Sequence, residues 1–271
     1  MSTGPSPAER RQRVLNQFKQ WAPAYDATEY VRVAAARLVE LAQLCKGECV
    51  LDLATGTGLA ALPAAEAVGS TGQVIGTDIS LNMLEQARGK IAATGLTNIQ
   101  VREGDAAQPD FADRSFDVVL CASAIFFLPD QLSAVREWRR VLRPGGRVIF
   151  SCWGQEFGQP LRDLFRARIQ KFGISLPEAD RRLQRPDQCE ALMREVGFVD
   201  IEVSAEQHGY NFASVAAYWE ELVGRSEPLS RLPLEELARF QAEHLSEVSA
   251  LATERGIWWD VPTNFAMGRK P

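Results

Sequence analysis

The sequence is poor in metal ligands. It has only two histidines, His208 and His244, no H-E-x-x-H, no paired C-x-x-C and no concentrated carboxylate cluster, so a metal site has no sequence support. The five cysteines are odd in number and lack close pairing, which excludes a disulfide framework and reads as reduced, buried thiols of an intracellular protein. No apolar run reaches membrane length, and Met1 to Arg13 is polar without the apolar core of a signal peptide; the expected location is cytoplasmic. Positive charge is not in excess: the formal net charge of -5 provides no global field for a phosphate backbone, so no nucleic-acid partner is expected. Internal repeats and low-complexity tracts are absent. What remains is a chain of 271 residues, 46% hydrophobic and 24% charged, enough to bury one large core or two modest ones without staples.

Alternating units dominate its first half. After a helix beginning at Pro7 or Ala8 and an interruption at Trp21-Ala22-Pro23-Ala24-Tyr25-Asp26, apolar spacing predicts a helix from Tyr30 to Leu44. There follow a strand at Cys49 to Leu53, a helix at Leu59 to Ala67, a strand at Gln73 to Thr77, a helix at Leu81 to Ala93 and a strand at Ile99 to Arg102. Such alternation implies a parallel sheet covered by helices on both faces. Phe116 to Cys121 is nearly continuous Val, Leu and Phe and belongs near the sheet centre. Beyond the strand Arg147 to Cys152, Gly158 to Arg185 is basic and amphipathic, like an inserted cap. Asp187 to Val196 resumes a core helix, Ile201 to Ala205 and Val261 to Gly268 are strands, and Phe212 to Gly256 supplies two further helices that would help roof a site.

Val50-Leu51-Asp52-Leu53-Ala54-Thr55-Gly56-Thr57-Gly58 is an apolar strand ending in a carboxylate and a glycine turn; a second apolar run ends at Asp78. Together they outline a nucleoside pocket. Gly56 and Gly58 put no side chain between the backbone and a ligand at a helix N-terminus, and a carboxylate at the tip of the second strand accepts both hydroxyls of a ribose. Gly56-Thr57-Gly58-Leu59-Ala60-Ala61 also fits the G-x-G-x-x-G/A pattern of nicotinamide-binding folds. Against that reading, Asp52 just before the turn would repel a pyrophosphate, whereas it would stabilise an ammonium group.

With Asp105 in Glu103-Gly104-Asp105-Ala106 and the turn Arg143-Pro144-Gly145-Gly146, four motifs stand in register, and the sequence resembles class I S-adenosylmethionine-dependent methyltransferases. The similarity is greatest to the branch of quinone-biosynthesis C-methyltransferases and small-molecule methyltransferases; it runs from about Trp21 to the end and is strongest from Cys49 to Cys152. It implies an α/β fold with a doubly wound, mostly parallel seven-stranded Rossmann-like sheet whose last strand runs antiparallel between its neighbours. A helical N-terminal lid (1–34) would precede a methyltransferase domain (35–271) with cap segments at about 158–186 and 212–256. The implied activity is methyl transfer from S-adenosylmethionine to a small, largely apolar acceptor, of phenol or quinol type or a specialised metabolite, at O, C or N. The alternatives are a NAD-dependent oxidoreductase and a non-catalytic S-adenosylmethionine-binding protein. Metal-dependent catechol methylation is disfavoured by the missing ligands, and the segment after the central strand lacks the Asn/Asp-Pro-Pro-aromatic pattern of exocyclic-amine methylation.

The resemblance assigns Asp52, Ala54, Thr55, Gly56 and Gly58 to the methionine part, Asp78 to ribose, Ile79 and Met83 to the adenine faces, Asp105 and Ala106 to its edge, and Ala122 to the passage beside cofactor and substrate. Ala54 and Thr55 depart from the glycines common in the broader family. Tyr25, in Ala22-x-x-Tyr25-Asp26, matches a tyrosine that closes over the cofactor; its other reading is an aromatic anchor, and its phenol oxygen is a candidate for catalysis. His208, at the ligand-facing edge after the strand Ile201 to Ala205, is the candidate base; otherwise it is a loop residue bonded to solvent or backbone. Phe127, Trp153, His208, Tyr210 and Trp219 suggest an aromatic substrate pocket, or else glue between cap and core. His244 reads as a solvated helix position, Asp26 as a cap of the next turn, Cys121 as a buried thiol, and the cluster Arg181, Arg182, Arg185 as a solvated surface or an anion site.

Overall fold

The computed structural model describes residues 7–176 and 183–271. Two helices lead in, α1 (Pro7–Trp21) and α2 (Glu29–Ala42), joined by a 3-10 segment at Ala22–Ala27. Next come β1 (Cys49–Leu53), α3 (Ala61–Val68), β2 (Gln73–Asp78), α4 (Leu81–Thr94), β3 (Ile99–Glu103), β4 (Phe116–Cys121), α5 (Gln131–Val141) and β5 (Leu142–Trp153). The remainder holds α6 (Leu161–Lys171), α7 (Pro186–Val196), β6 (Val199–Gln207), β7 (Tyr210–Phe212), α8 (Val215–Arg225), α9 (Leu234–Ser249), β8 (Ile257–Trp259) and β9 (Pro262–Arg269). β5 starts earlier than its apolar run predicts, because pairing resumes across the Arg143–Gly146 turn: Phe116 faces Leu142, and Val118 already faces Arg147.

Seven strands form one sheet in the order β3-β2-β1-β4-β5-β9-β6. Strands β1 to β5 are parallel, and β9 runs antiparallel between β5 and β6, so the fold is the doubly wound, mostly parallel sheet the sequence pattern implies. Val118, Val119, Leu120 and Cys121 are fully buried because β4 is covered on both faces. On one face Trp138 of α5 packs with Phe116, Val119 and Phe150; on the other Leu38 of α2 and Ala64 of α3 meet Val50, Val118 and Phe265. The chain winds away from β1 through β2 and β3, then returns to its other side with β4. This reversal opens a crevice beyond the carboxyl ends of β1 and β4, where open α/β sheets bind ligands.

A third apolar cluster lies off the sheet and ties α1, α2, α6, α8, α9 and the β7–β8 hairpin together through Trp21, Tyr30, Leu161, Tyr218, Phe240 and Trp259. His244 belongs here and is not solvated: its side chain is wholly buried and its Nε2 is 2.9 Å from the Tyr218 hydroxyl. It falls four residues after Phe240 and four before Val248, on the buried stripe of α9. Burial, aided by the charge of Arg168, pushes its pKa down to about 4. Asp26 likewise does not cap a turn: it accepts from Thr57 Oγ1 and pairs with Lys90 Nζ of α4 at 2.6 Å. Arg185 pairs with Asp187, while Arg181 and Arg182 lie outside the described residues. All five cysteines are free.

Candidate active site

The turn after β1 is bent by backbone rather than by side chains. Ala54 (φ 53°), Gly56 (φ 56°) and Gly58 (φ 84°) all occupy the left-handed region, which glycine enters freely and alanine does not. At Gly56 the reason is also spatial, since a Cβ there would approach Met83 Cε to 3.2 Å. The amide of Gly56 donates to Asp78 Oδ2 and that of Ser80 to Asp78 Oδ1, both at 2.8 Å, so the tip of β2 is locked to the turn after β1. Acceptor capacity remains on the Asp78 carboxylate, as a ribose diol needs.

These elements, with the segment after β4, enclose a cavity of about 320 Å³. Asp78, Ile79, Met83, Asp105, Ala106 and Ala122 line it, and its far wall is α1, which contributes Arg11, Val14, Leu15 and Phe18. Phe127 lines one side and meets Phe18 edge to face at 5.3 Å; both Phe126 and Phe127 pack against the core, and of the two it is Phe127 that lines the cavity. Asp105 Oδ1 accepts from the Ala107 amide, and Oδ2 lies 4.0 Å from Arg11 Nε. Tyr25 borders both this cavity and a small recess of about 20 Å³ that also touches Asp52, Ala54, Thr55, Gly56, Ala122 and Ser123.

The recess is the diagnostic part. Asp52 is 1% exposed; its Oδ2 accepts from Thr55 Oγ1 at 2.6 Å, and its Oδ1 is buried without a hydrogen-bond partner. Asp52 borders the recess, and an unsatisfied buried carboxylate oxygen is costly; a cation such as an α-ammonium would complete it. Burial pushes the Asp52 pKa up to about 7 against the opposing bond from Thr55, and Asp78 adds to the rise. Burial likewise raises Asp78. Tyr25 is raised far above the ordinary phenol range by burial, with Tyr30, Asp78, Asp26 and Asp52 adding to it, so it is a neutral donor and not a base. A carboxylate for a ribose, an acidic edge for adenine and an orphaned oxygen for an amino-acid ammonium fit S-adenosylmethionine.

The other expected residues separate. Gly58 faces Leu62 and Ala87 rather than the cavity. His208 does not line it either: its ring packs edge to face on Phe265, and its Nε2 lies 3.3 Å from Glu206, whose carboxylate is held bidentately by Arg37. The strand tip that carries it is the outer one, β6, three positions from β4. Trp153 stacks on Phe157 and meets Tyr30; Tyr210 donates to Glu221 and meets Phe212; Trp219 lies against Phe240. These three rings glue cap to core. Sequence reasoning missed the α1 face Val14, Leu15 and Phe18, whose helical spacing was a readable signal. Ser123, next to Ala122, also lines the cavity; its backbone sits at φ 52° and its amide donates a hydrogen bond to the buried Ser151 hydroxyl. Among the described residues no group of His, Cys, Asp and Glu could hold a metal, and no helix is long and apolar enough to cross a membrane.

Comparison with known proteins agrees with this geometry. A family profile described as a methyltransferase domain matches residues 50–146. The aklanonic acid methyltransferase DauC of Streptomyces sp. (strain C5) is 38% identical over 143 residues, 52% of this chain and 65% of that protein, just under two-thirds of its length. Demethylmenaquinone methyltransferase of Geobacillus kaustophilus is 35% identical over 178 residues, 60% of this chain and 76% of that protein. Among solved structures, YcgJ of Bacillus subtilis superposes with a TM-score of 0.61 at 20% identity, covering 88% of this chain and 98% of its own, which extends the likeness in fold to nearly the whole molecule. The turn, the two strand-tip carboxylates and the level of identity to the Geobacillus enzyme lead to one family: this chain belongs to the S-adenosylmethionine-dependent methyltransferases.

Proposed function

We propose that the protein transfers a methyl group from S-adenosylmethionine to a small, largely apolar acceptor bearing a ring. The observation that carries this is the cavity under α1: carboxylates mark its nucleoside side, the unpartnered Asp52 oxygen lies at its turn, and apolar side chains form most of the rest. The relatives whose names specify aklanonic acid and demethylmenaquinone supply the acceptor class.

When bound, the cofactor supplies a methyl carbon activated by a sulfonium. The chain's own residues then have three tasks. Asp78, Asp105 and Asp52 fix the position of the donor. Of the lid expected over residues 1–34, the described part does the covering: α1 excludes water through Val14, Leu15 and Phe18, and Tyr25 stands as a neutral donor where the two cavities meet. The third task is orientation, which suffices for an in-line displacement when the nucleophile is already competent. No histidine lines the cavity, Tyr25 is held neutral, and the carboxylates that border it are placed for the donor. The acceptor therefore arrives with its own lone pair or ionised oxygen.

Calorimetric titration with S-adenosylhomocysteine tests the donor half, and its release during turnover with hydroxynaphthalenes, quinols and amines tests the acceptor half. We expect binding that Asp78→Ala weakens by about tenfold or more, the cost of a charge-assisted hydrogen bond. His208→Ala leaves turnover within about twofold, since it touches neither cavity. Binding of NAD(H) in place of the homocysteine product would overturn the proposal.

A further inference from the structure

Five residues border both the large cavity and the small recess: Tyr25, Ala54, Gly56, Ala122 and Ser123. Asp52 lies at the recess and Asp78 at the large cavity, so an amino-acid end held by the first and a ribose held by the second put the sulfur that joins them, and its methyl group, at this shared border. Ala54, Gly56 and Ala122 have no polar side-chain atom. The side-chain hydrogen-bonding groups of the border are therefore the hydroxyls of Tyr25 and Ser123, and neither is given to the carboxylates that position the donor.

Of the two, Ser123 is the better defined. Its backbone is in the left-handed region at φ 52°, where glycine would sit without strain, and a serine held there is fixed by its surroundings. Its amide donates to Ser151 Oγ at 2.9 Å, and its own Oγ is 3.3 Å from the same atom. Ser151 is wholly buried on β5, and among the described residues the Ser123 hydroxyl is the acceptor within its reach. A buried hydroxyl finds a partner for its hydrogen, so the Ser151 proton points at Ser123 Oγ. The Ser123 proton is then left without an internal acceptor, on a residue that is only partly buried and whose open side is the border of the two cavities.

We propose that the Ser123 hydroxyl, oriented by Ser151, donates to an ionised oxygen of the acceptor, of phenolate or enolate type, where the two cavities meet, with Tyr25 as the second donor. The inference rests on the methyltransferase reading and specifies its acceptor as an oxygen anion rather than an amine. The distinction follows from lone pairs: a neutral amine has one, and a donor that binds it occupies the nucleophile, whereas an ionised oxygen accepts from a donor and keeps others for bond formation. Burial holds Tyr25 neutral, so both hydroxyls of the border are donors. Hydrogen bonds to a charged acceptor are the strong kind, and here they fix the orientation of an acceptor that already carries its charge.

The probes are 2-hydroxy-1,4-naphthoquinone, an acidic enol that is ionised at pH 7.5, and its neutral isostere 2-amino-1,4-naphthoquinone, titrated into the full chain saturated with S-adenosylhomocysteine. That product carries no sulfonium charge, so a preference for the anion must come from the protein. The wild type should bind the hydroxy compound at least about tenfold more tightly than the amine, as charge-assisted bonds require. Ser123→Ala and Ser123→Gly should each cut that ratio by at least about fivefold. Glycine suits the backbone at this position, and the ratio is read within each variant, so neither unfolding nor a change in donor affinity imitates the result. The visible band of the bound anion should move to longer wavelength in both variants, because a hydrogen bond to the oxygen stabilises its ground-state charge, and Ser151→Ala should move it part of the way. Equal binding of the two probes, binding of neither, or a ratio and a band that stay unchanged in both Ser123 variants overturns the inference. Failure of S-adenosylhomocysteine to bind the wild type overturns the methyltransferase reading instead, so the two failures are distinguishable.

Discussion

Lowering the pH should release the donor product through one residue, Asp52. Its carboxyl is pushed up to about 7 by burial, and its Oδ1 has no partner, so at pH 7 it is about half ionised in the ligand-free protein. An ammonium group beside that oxygen favours the carboxylate, and binding must therefore expel the proton wherever Asp52 still holds one. Affinity for S-adenosylhomocysteine should be level above about pH 8 and fall roughly tenfold per unit below 7, reaching about 100-fold at pH 5 unless the bound form titrates first. Calorimetry at pH 6 in buffers of different ionisation enthalpy should register the release of close to one proton. Asp78 is also raised by burial, so Asp52→Asn is the discriminating variant: weaker at pH 8, and without the steep slope between 5 and 7. The sign for stability is opposite. A carboxyl that rises from 3.8 to about 7 on folding favours the folded state at low pH and ceases to do so as pH climbs through 7. Ligand protection against thermal unfolding should consequently be larger at pH 8 than at pH 5.5. A flat affinity profile from pH 5 to 8, or an unchanged slope in Asp52→Asn, would refute the reasoning.

Ala54→Gly relieves a left-handed alanine, a gain of about 1–2 kcal/mol offset by roughly 0.5–1 kcal/mol of unfolded-state entropy, and should raise the melting temperature by about 2 °C; a lower value counts against backbone strain at the turn. Asp26→Ala removes the bonds that fasten the segment after α1 to Thr57 and Lys90, and stopped-flow measurements should show S-adenosylhomocysteine leaving about threefold to tenfold faster with little change in association. An unaltered dissociation rate would mean that this latch does not govern escape. His244, depressed from 6.5 to about 4, binds its proton more readily in the unfolded chain, so it removes stability as pH falls from 6.5 towards 4, by up to about 3 kcal/mol. Urea midpoints of His244→Gln should lose that component of the acid slope; an identical slope rejects it.

The donor cradle was legible because its signals are local. A buried strand reads as a run of Val and Leu, its end as Gly, and Asp52 and Asp78 sit at those ends. The same alternation implies a parallel sheet covered on both faces, whereas the antiparallel last strand came only with the family resemblance. The acceptor side was not legible, for a different physical reason in each case. Trp153, Tyr210 and Trp219 are large rings near the crevice, and spacing does not distinguish a ring that lines a cavity from one that seals two elements together. His208 is at a strand tip, but on β6, far across the sheet from the donor. His244 has polar neighbours in sequence, and only its distance of four from Phe240 and from Val248 marks it as buried. The β7–β8 hairpin pairs three-residue strands that are separated by α8 and α9, too short and too remote for any periodicity to register.

The interposed strand β9 has a consequence for how the chain assembles. β6 has no sheet partner except β9, and β9 follows α8, α9 and β8 in the chain. On a ribosome, β1 to β5 emerge with every pairing they need for the donor cradle, while β6 waits for a partner encoded some distance downstream. The last residues also fasten the middle of the molecule: Lys270 Nζ donates to the Arg139 and Leu142 carbonyls at the end of α5. The segments that build the donor cradle and its α1 cover thus precede the cap helices α8 and α9 in the chain, and placement of β9 joins the two halves.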